Sequence, residues 1–187
     1  MGTTAVTETT DTVPELTGER ADLLAELRQA RFFLRYTARD LTTEQASQRT
    51  TASALTLGGL IKHVALTEAG WAEFFEKGAE ALSVGGKDFA DLTEEDYAER
   101  DREFALQPGE TLDAVLARYA EIAARTDEAI RTTPSLDVRH ALPDAPWFTE
   151  SEWSIRRVVT HLIAETAQHA GHADIIRESL DGAQTMA

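Results

Sequence analysis

The sequence predicts an all-α fold, a bundle of four long helices with one short accessory helix. Glycine and proline are sparse, at 11 and 5 of 187 residues, while the strong helix formers Ala, Leu, Glu and Arg are common. Apolar residues recur at helical spacing in four long segments, and no segment has the pattern of a β-hairpin or of an internal repeat. Apolar residues make up 42% of the chain, which is enough for the core of one domain.

The N-terminal half is expected to contain a tail and two of the long helices. Residues 1–14 are rich in threonine and lack apolar periodicity, so we expect a disordered tail before a single domain at 15–187. Apolar residues at helical spacing predict a first helix from residue 19 to about 40. Thr56 is expected to cap a second helix that covers residues 57–77.

Threonines also mark the helix starts of the C-terminal half. Thr93 is followed by three acids, which predicts a short helix near 94–104. Thr111 is expected to cap a third long helix that ends near residue 131. We interpret residues 149–152 (Thr-Glu-Ser-Glu) as a capping box, so the last helix is predicted over about 152–180.

Composition excludes several classes of function. A net charge of −15 argues against a nucleic-acid partner and against binding to an anionic membrane. No run of eighteen apolar residues and no secretory-type N-terminus is present, so we expect no membrane span and a cytoplasmic location. The chain contains no cysteine, which leaves His, Asp and Glu as the strong metal ligands and excludes a thiolate of its own.

Four potential metal ligands share one side of the predicted last helix. At about 100° per residue, His161, Glu165, His169 and His172 fall within an arc of about 80°. His169 projects into the apolar face and Glu165 lies at its margin, one turn away, so the two can converge on one ion. Polar side chains on an inward face are costly unless something binds them. The stripe therefore favours a divalent metal.

The second helix can supply a third ligand. His63 shares its face with apolar residues such as Trp71, so a bundle can bring it opposite Glu165 and His169. Two imidazoles and one carboxylate leave positions open on the ion, which is typical of catalytic zinc, and the same donors suit nickel or iron(II).

Other interpretations of these histidines remain open. His63 alone could be a hydrogen-bonded core histidine, and the whole stripe could be a water-filled polar seam without metal. His161 and His172 could be ligands, supports of the ligands or exposed side chains, with His172 the main alternative to Glu165. His140 is expected to be solvent-exposed, because it lies in a proline-containing connector.

Residues 55–71 and 154–182 resemble the DinB-like superfamily, in its actinobacterial branch that includes the mini-circle proteins, once described as a domain of unknown function. The resemblance extends over about residues 15–182 and implies an up-down-down-up four-helix bundle. It also implies one metal, zinc or nickel, held by His63, Glu165 and His169. This His-Glu-His set is similar to that of the mycothiol-dependent maleylpyruvate isomerase relatives.

The resemblance further implies chemistry that depends on a small thiol. Characterised relatives are transferases or isomerases that use mycothiol or bacillithiol, so the implied partners are a small-molecule thiol and an electrophile. A metal lowers the pKa of a bound thiol, which makes the nucleophilic thiolate available at neutral pH. Trp71 and Arg177 are candidate contacts of the cofactor or substrate, and their alternatives are core packing and a surface salt bridge.

Two further functions fit the same residues. The metal could staple a non-catalytic bundle that binds a ligand or partner, or it could activate water in a hydrolase. A homodimer through an exposed helix face is compatible with such a bundle. Where relatives carry bulkier residues, this chain has Thr67, Ala69 and Gly70 before the tryptophan, which would enlarge a cavity or loosen the helix packing.

Overall fold

The computed structural model describes residues 16–83, 87 and 89–185, so the predicted tail at 1–14 lies outside the described residues. Within that part of the chain the α-helices are α1 Glu19–Tyr36, α2 Thr43–Ala46, α3 Leu57–Lys77, α4 Glu94–Asp101, α5 Leu112–Thr132 and α6 Ile155–Asp181. Short 3₁₀ segments lie at Gly78–Leu82, Phe89–Asp91 and Arg102–Phe104. Two strands, β1 Arg139–Ala141 and β2 Glu152–Ser154, pair antiparallel. In the described residues, no helix is apolar over a stretch long enough to span a bilayer.

Threonine caps begin four of the described helices, and the sequence predicts three of them, those of α3, α4 and α5. The Thr56 side chain accepts a hydrogen bond from the Gly59 N–H, and Thr111 accepts one in the same way at the start of α5. Thr93 forms a capping box with Asp96 at the start of α4. Each side chain satisfies a backbone donor that has no partner within its helix. The predicted bounds of α3 are confirmed.

The predicted start of the last helix is wrong by three residues. Ser154 caps α6, and residues 152–154 form β2, so residues 149–152 are not its capping box. The backbone of this segment bonds to β1, a partner distant in sequence. The first helix also ends earlier than predicted, at Tyr36, and the positive φ of 59° at Asp40 is incompatible with its continuation.

Contacts at the helix ends establish the up-down-down-up order. Glu19 and Arg156, each at the start of its helix, form an ion pair, so α1 and α6 run parallel. Arg20 donates to the Ile130 carbonyl at the end of α5, so α1 and α5 are antiparallel. The second half of α3 contacts the first half of α6, which makes those two helices antiparallel. Two apolar clusters fill the interior between the four long helices.

A buried ionic cluster joins three of the four long helices. Arg31 of α1 donates to both carboxylate oxygens of Glu68 on α3, at 2.9 and 2.6 Å, and to Asp127 of α5 at 2.7 Å. Glu68 is fully buried and Arg31 is 3% exposed. Burial lowers the pKa of Arg31, but the hydrogen bonds and charges of Glu68 and Asp127 outweigh it and raise that pKa.

Removal of the Glu68 carboxylate is expected to destabilise the fold strongly. Glu68→Ala leaves the buried Arg31 guanidinium without its main partner, which costs about 3–5 kcal/mol. Glu73→Ala is the matched control on the same helix, because Glu73 is exposed and its pair with Lys77 contributes less than about 1 kcal/mol. Urea denaturation measures both, and equal losses in the two variants would contradict the structural role of the buried pair.

The segment that follows α4 approaches α3 more closely than a side chain at residue 59 permits. A Cβ atom on Gly59 would lie 1.8 Å from the Phe104 carbonyl oxygen. The Lys62 ammonium donates to the Ala105 carbonyl at 3.3 Å and holds the segment in place. Phe104 is thereby brought onto the His63 ring, with ring centroids 3.9 Å apart.

Gly59→Ala is therefore expected to displace this segment. Overpacking against a backbone carbonyl costs about 2–3 kcal/mol, which for a chain of this size lowers Tm by about 4–12 °C. Gly171→Ala is the control, because a Cβ on Gly171 of α6 has no neighbour within 4 Å and alanine favours helix. Calorimetry should show a lower Tm for the first variant and an equal or higher Tm for the second, and an unchanged Tm in Gly59→Ala would refute the close approach.

Candidate metal centre

Three of the predicted ligands meet where α3 and α6 face each other. In the described part of the chain, His63, Glu165 and His169 each offer a ligand atom within 4.8 Å of the other two. Glu165 Oε1 lies 3.1 Å from His169 Nε2 and 3.6 Å from His63 Nε2. The geometry thus brings together, from two helices, the three residues that helical spacing selected.

These separations fit one ion. Zinc bonds to imidazole nitrogen and carboxylate oxygen are about 2.0–2.2 Å, so neighbouring donors of a tetrahedral site lie about 3.3–3.6 Å apart. The two measured separations are close to that range. The three side chains are 14–21% exposed, so the cluster is accessible from solvent. Three protein donors leave a fourth position for a small molecule.

Electrostatics favours an ionised carboxylate in the cluster. Hydrogen bonds from His169 and His63 hold the pKa of Glu165 well below its usual range, against the opposing effect of burial. Burial lowers the pKa of His63, but the carboxylates of Glu103 and Glu165 outweigh it and raise that pKa. An ionised Glu165 is the form that binds a cation.

The other nitrogen of His63 indicates a supporting residue. His63 Nδ1 is buried without a hydrogen-bond partner, and the nearest carboxylate oxygen in an ion-pair contact is Glu103 Oε2 at 3.8 Å. A metal-bound histidine usually donates its second N–H to such a carboxylate. Phe104 therefore packs against the His63 ring, and Glu103 lies closest to the position from which it could accept the Nδ1 proton. Neither residue could be identified from the sequence, because both lie in a polar segment without apolar periodicity.

A cavity of about 290 Å³ lies beside the cluster, between α3, the segment around α4 and the connector before β2. Trp71, Trp147 and Phe148 form aromatic walls, and Glu103 lines the cavity on the side of His63. Gly70 also lines it, so one of the small residues noted before the tryptophan contributes space here. The cavity thus approaches the candidate centre through Glu103, and none of the three candidate ligands is among its lining residues.

The family model of the mycothiol S-transferases matches residues 22–182. The chain belongs to the mycothiol S-transferase family. The match confirms the DinB-like resemblance and includes all three candidate ligands.

Comparison with solved structures supports the bundle architecture. The crystal structure of a conserved protein from Enterococcus faecalis aligns with a TM-score of 0.62 and 12% sequence identity. The alignment covers 90% of this chain and all of that one. At this identity the likeness establishes the fold alone. A search of curated proteins found no match.

The two other histidines of α6, His161 and His172, lie beside the cluster. His172 Nδ1 is 3.4 Å from His169 Nδ1, on the exposed side of α6. His161 contacts the edges of Trp71 and Trp153, with ring centroids 5.2 Å away in each case. Burial lowers the pKa of His161, which favours the neutral ring. The assignment of Glu165 rather than His172 as a ligand stays a prediction.

The expectation that the His140 side chain is solvent-exposed is wrong. The residue lies in β1, paired with Trp153 of β2, and is partly buried. Its Nε2 lies 3.0 Å from the Phe75 carbonyl oxygen, a distance at which a protonated Nε2 donates to the end of α3. The prolines of the connector suggested an open loop, whereas the short sheet folds this segment back onto the bundle.

The two candidate contact residues lie in different surroundings. Trp71 stacks on Trp153 with ring centroids 5.0 Å apart and lines the cavity, so it combines core packing with a position beside the cluster. Arg177 is 5% exposed, pairs with Asp181 one turn later and donates to the Thr37 carbonyl. Arg177 therefore links α6 to the turn that follows α1.

The stability of the first turn of α4 is expected to depend on pH. This helix also carries Arg100, which lines the cavity. A hydrogen bond from Lys87 and the capping bonds of Thr93 lower the pKa of Asp96 from 3.8 to about 2. Because the folded pKa lies below the unfolded one, this stabilisation is fully present above pH 4 and is lost as the pH falls through about 2. An NMR titration of the side-chain carboxyl should give that pKa. A value near 3.8 would contradict the cap, and Asp96→Asn should remove the transition while Glu95→Gln keeps it.

Proposed function

We propose that this chain is a metal-dependent transferase that joins mycothiol to an electrophilic small molecule, with one divalent metal held by His63, Glu165 and His169. The observation that carries the proposal is the convergence of three donor atoms within 4.8 Å in a chain of this family. Zinc or nickel suits two imidazoles and one carboxylate, and iron(II) is also compatible.

The metal would supply a Lewis acid that lowers the pKa of a thiol, so that thiolate is present near neutral pH. Because the chain has no cysteine, the sulfur must come from a small molecule. In an addition, a sulfur–carbon bond forms and the thiol proton passes to the neighbouring carbon. In a substitution, the sulfur–carbon bond forms while the bond from that carbon to the leaving group breaks, the leaving group keeps the electron pair of the broken bond, and the thiol proton is released to water. An isomerase would add the thiol, allow bond rotation and release it again.

The protein's own side chains prepare the centre. Glu165 would contribute a negative charge that partly balances a divalent cation, and its Oε1 lies 3.1 Å from His169 Nε2, so both atoms can bind the same ion. Phe104 packs against the His63 ring, and Glu103 lies near its Nδ1. Trp71 and Phe148 form apolar walls of the adjoining cavity. A small-molecule thiol and an electrophile are thus the proposed partners, and a homodimer stays a prediction.

Loss of either histidine is expected to remove both the metal and the activity. Wild-type protein should contain about one equivalent of metal by mass spectrometry, whereas His63→Ala and His169→Ala should contain little. Loss of a supporting residue around a metal already costs about 10–100-fold, so conjugation of mycothiol should fall by at least about 100-fold. Gln168→Ala is the control, because Gln168 is exposed on the same helix and lies outside the cluster, so this variant should retain metal and turnover.

Three outcomes would contradict this proposal in different ways. No metal after reconstitution with zinc, nickel and iron(II) would exclude the metal centre. Metal without thiol affinity, together with a large fall in Tm on chelation, would indicate a metal-stabilised binding protein. Hydrolysis of a test ester at a rate independent of thiol would indicate metal-activated water.

A further inference from the structure

We propose that the cavity beside the candidate centre binds the electrophile, and that this electrophile is a compact aromatic acid whose anionic group contacts Arg100. This inference rests on the proposed function, since it names the class of second substrate. The cavity of about 290 Å³ is at the lower end of the usual range for ligand sites, about 300–1,000 Å³, which favours a small molecule.

The walls of the cavity match a flat apolar ligand. Trp71 closes one side, where it is fixed by its stack on Trp153. Trp147 is 50% exposed at the opposite side and contacts Phe89 edge-on at 4.7 Å. Aromatic faces stack favourably on other planar groups, and an exposed tryptophan at the margin of a cavity offers such a face. A ligand with an aromatic ring is therefore expected here.

Arg100 supplies the positive charge of this cavity. It lies on α4 with its guanidinium 5.9 Å from the centre of the Trp147 ring. Neighbouring charges are paired elsewhere, since Glu99 bonds to Arg102 and Asp96 to Lys87. Among the residues that the structure describes, no carboxylate lies in an ion-pair contact with Arg100. A guanidinium in this position can bind a carboxylate of a ligand through two hydrogen bonds.

The charges also set the direction of the ligand. Glu103 lines the cavity on the side of His63, and Glu165 lies beyond it in the candidate centre. Both carboxylates repel an anionic group, whereas Arg100, one helical turn before Glu103, attracts it. A bound acid is thus expected to place its anion against Arg100 and away from the candidate centre.

Gly70 keeps the cavity open. A Cβ atom at this position would have its nearest neighbours at 3.8 Å, in Leu82, and at 3.9 Å, in Ala81, so packing does not require a glycine. Glycine inside a helix costs about 0.5–1 kcal/mol relative to alanine. The chain bears this cost at a position where a longer side chain would project into the cavity.

Binding of trans-cinnamate to metal-loaded protein without thiol tests the inference, with tryptophan fluorescence as the readout. Cinnamamide is the neutral probe of nearly equal shape. We expect saturable quenching by cinnamate and about tenfold weaker binding of cinnamamide, because one charge-assisted contact is lost. Arg100→Gln should weaken cinnamate about tenfold and leave cinnamamide unchanged. Arg118→Gln, which alters an exposed arginine of α5, should change neither.

A second pair of variants tests the location. Gly70→Leu should abolish cinnamate binding, while Gly70→Ala should keep it and report that α3 still folds. Equal affinities of the two probes, an unaffected Arg100→Gln variant or persistent binding to Gly70→Leu would each overturn the inference. The binding assay contains no thiol. Binding of cinnamate in this pattern, without any mycothiol conjugation by the protein, would therefore refute the proposed transferase function alone. Conjugation without this binding pattern would refute the assigned substrate class alone.

Discussion

A carboxylate with no access to water must be paired, and this requirement fixes the rotation of the central helix α3. Glu68 is fully buried and bonds to Arg31 of α1. His63 precedes Glu68 by five residues, which places it about 140° away around the helix axis. With Glu68 held toward α1, His63 is directed toward α6, where Glu165 and His169 lie. The buried ion pair thus orients a residue that it does not touch.

The candidate centre and the cavity divide the same region into two electrostatic environments. Acidic side chains surround His63, with Glu165 on one side of the ring and Glu103 on the other. Aromatic rings and Arg100 line the adjoining cavity. Under the two proposals, the first environment binds a cation and the second binds a flat anion. Both depend on the close approach of residues 102–105 to α3, which Gly59 permits.

Features that depend on local interactions could be predicted from the sequence. Thr56 and Thr111 cap helices through bonds to residues three positions away, and the one-turn spacing of Glu165 and His169 places them together. Long-range pairings could not be predicted in this way. The start of α6 was misplaced because residues 152–154 pair with β1. Glu103 and Arg100 were missed because tertiary contacts alone give them a position beside the cavity.

The short sheet closes a connector that supplies two aromatic walls of the cavity, Trp147 and Phe148. The ladder of β1 with β2 is extended by a hydrogen bond from the Leu142 N–H to the Ser151 carbonyl, so the connector between them is closed at its base. Trp147 and Phe148 lie within this closed loop. A change of sequence inside the loop would alter these two walls and leave the proposed ligands on α3 and α6 unchanged. Under the proposed function, related chains could therefore vary the electrophile through this loop while they keep one metal site.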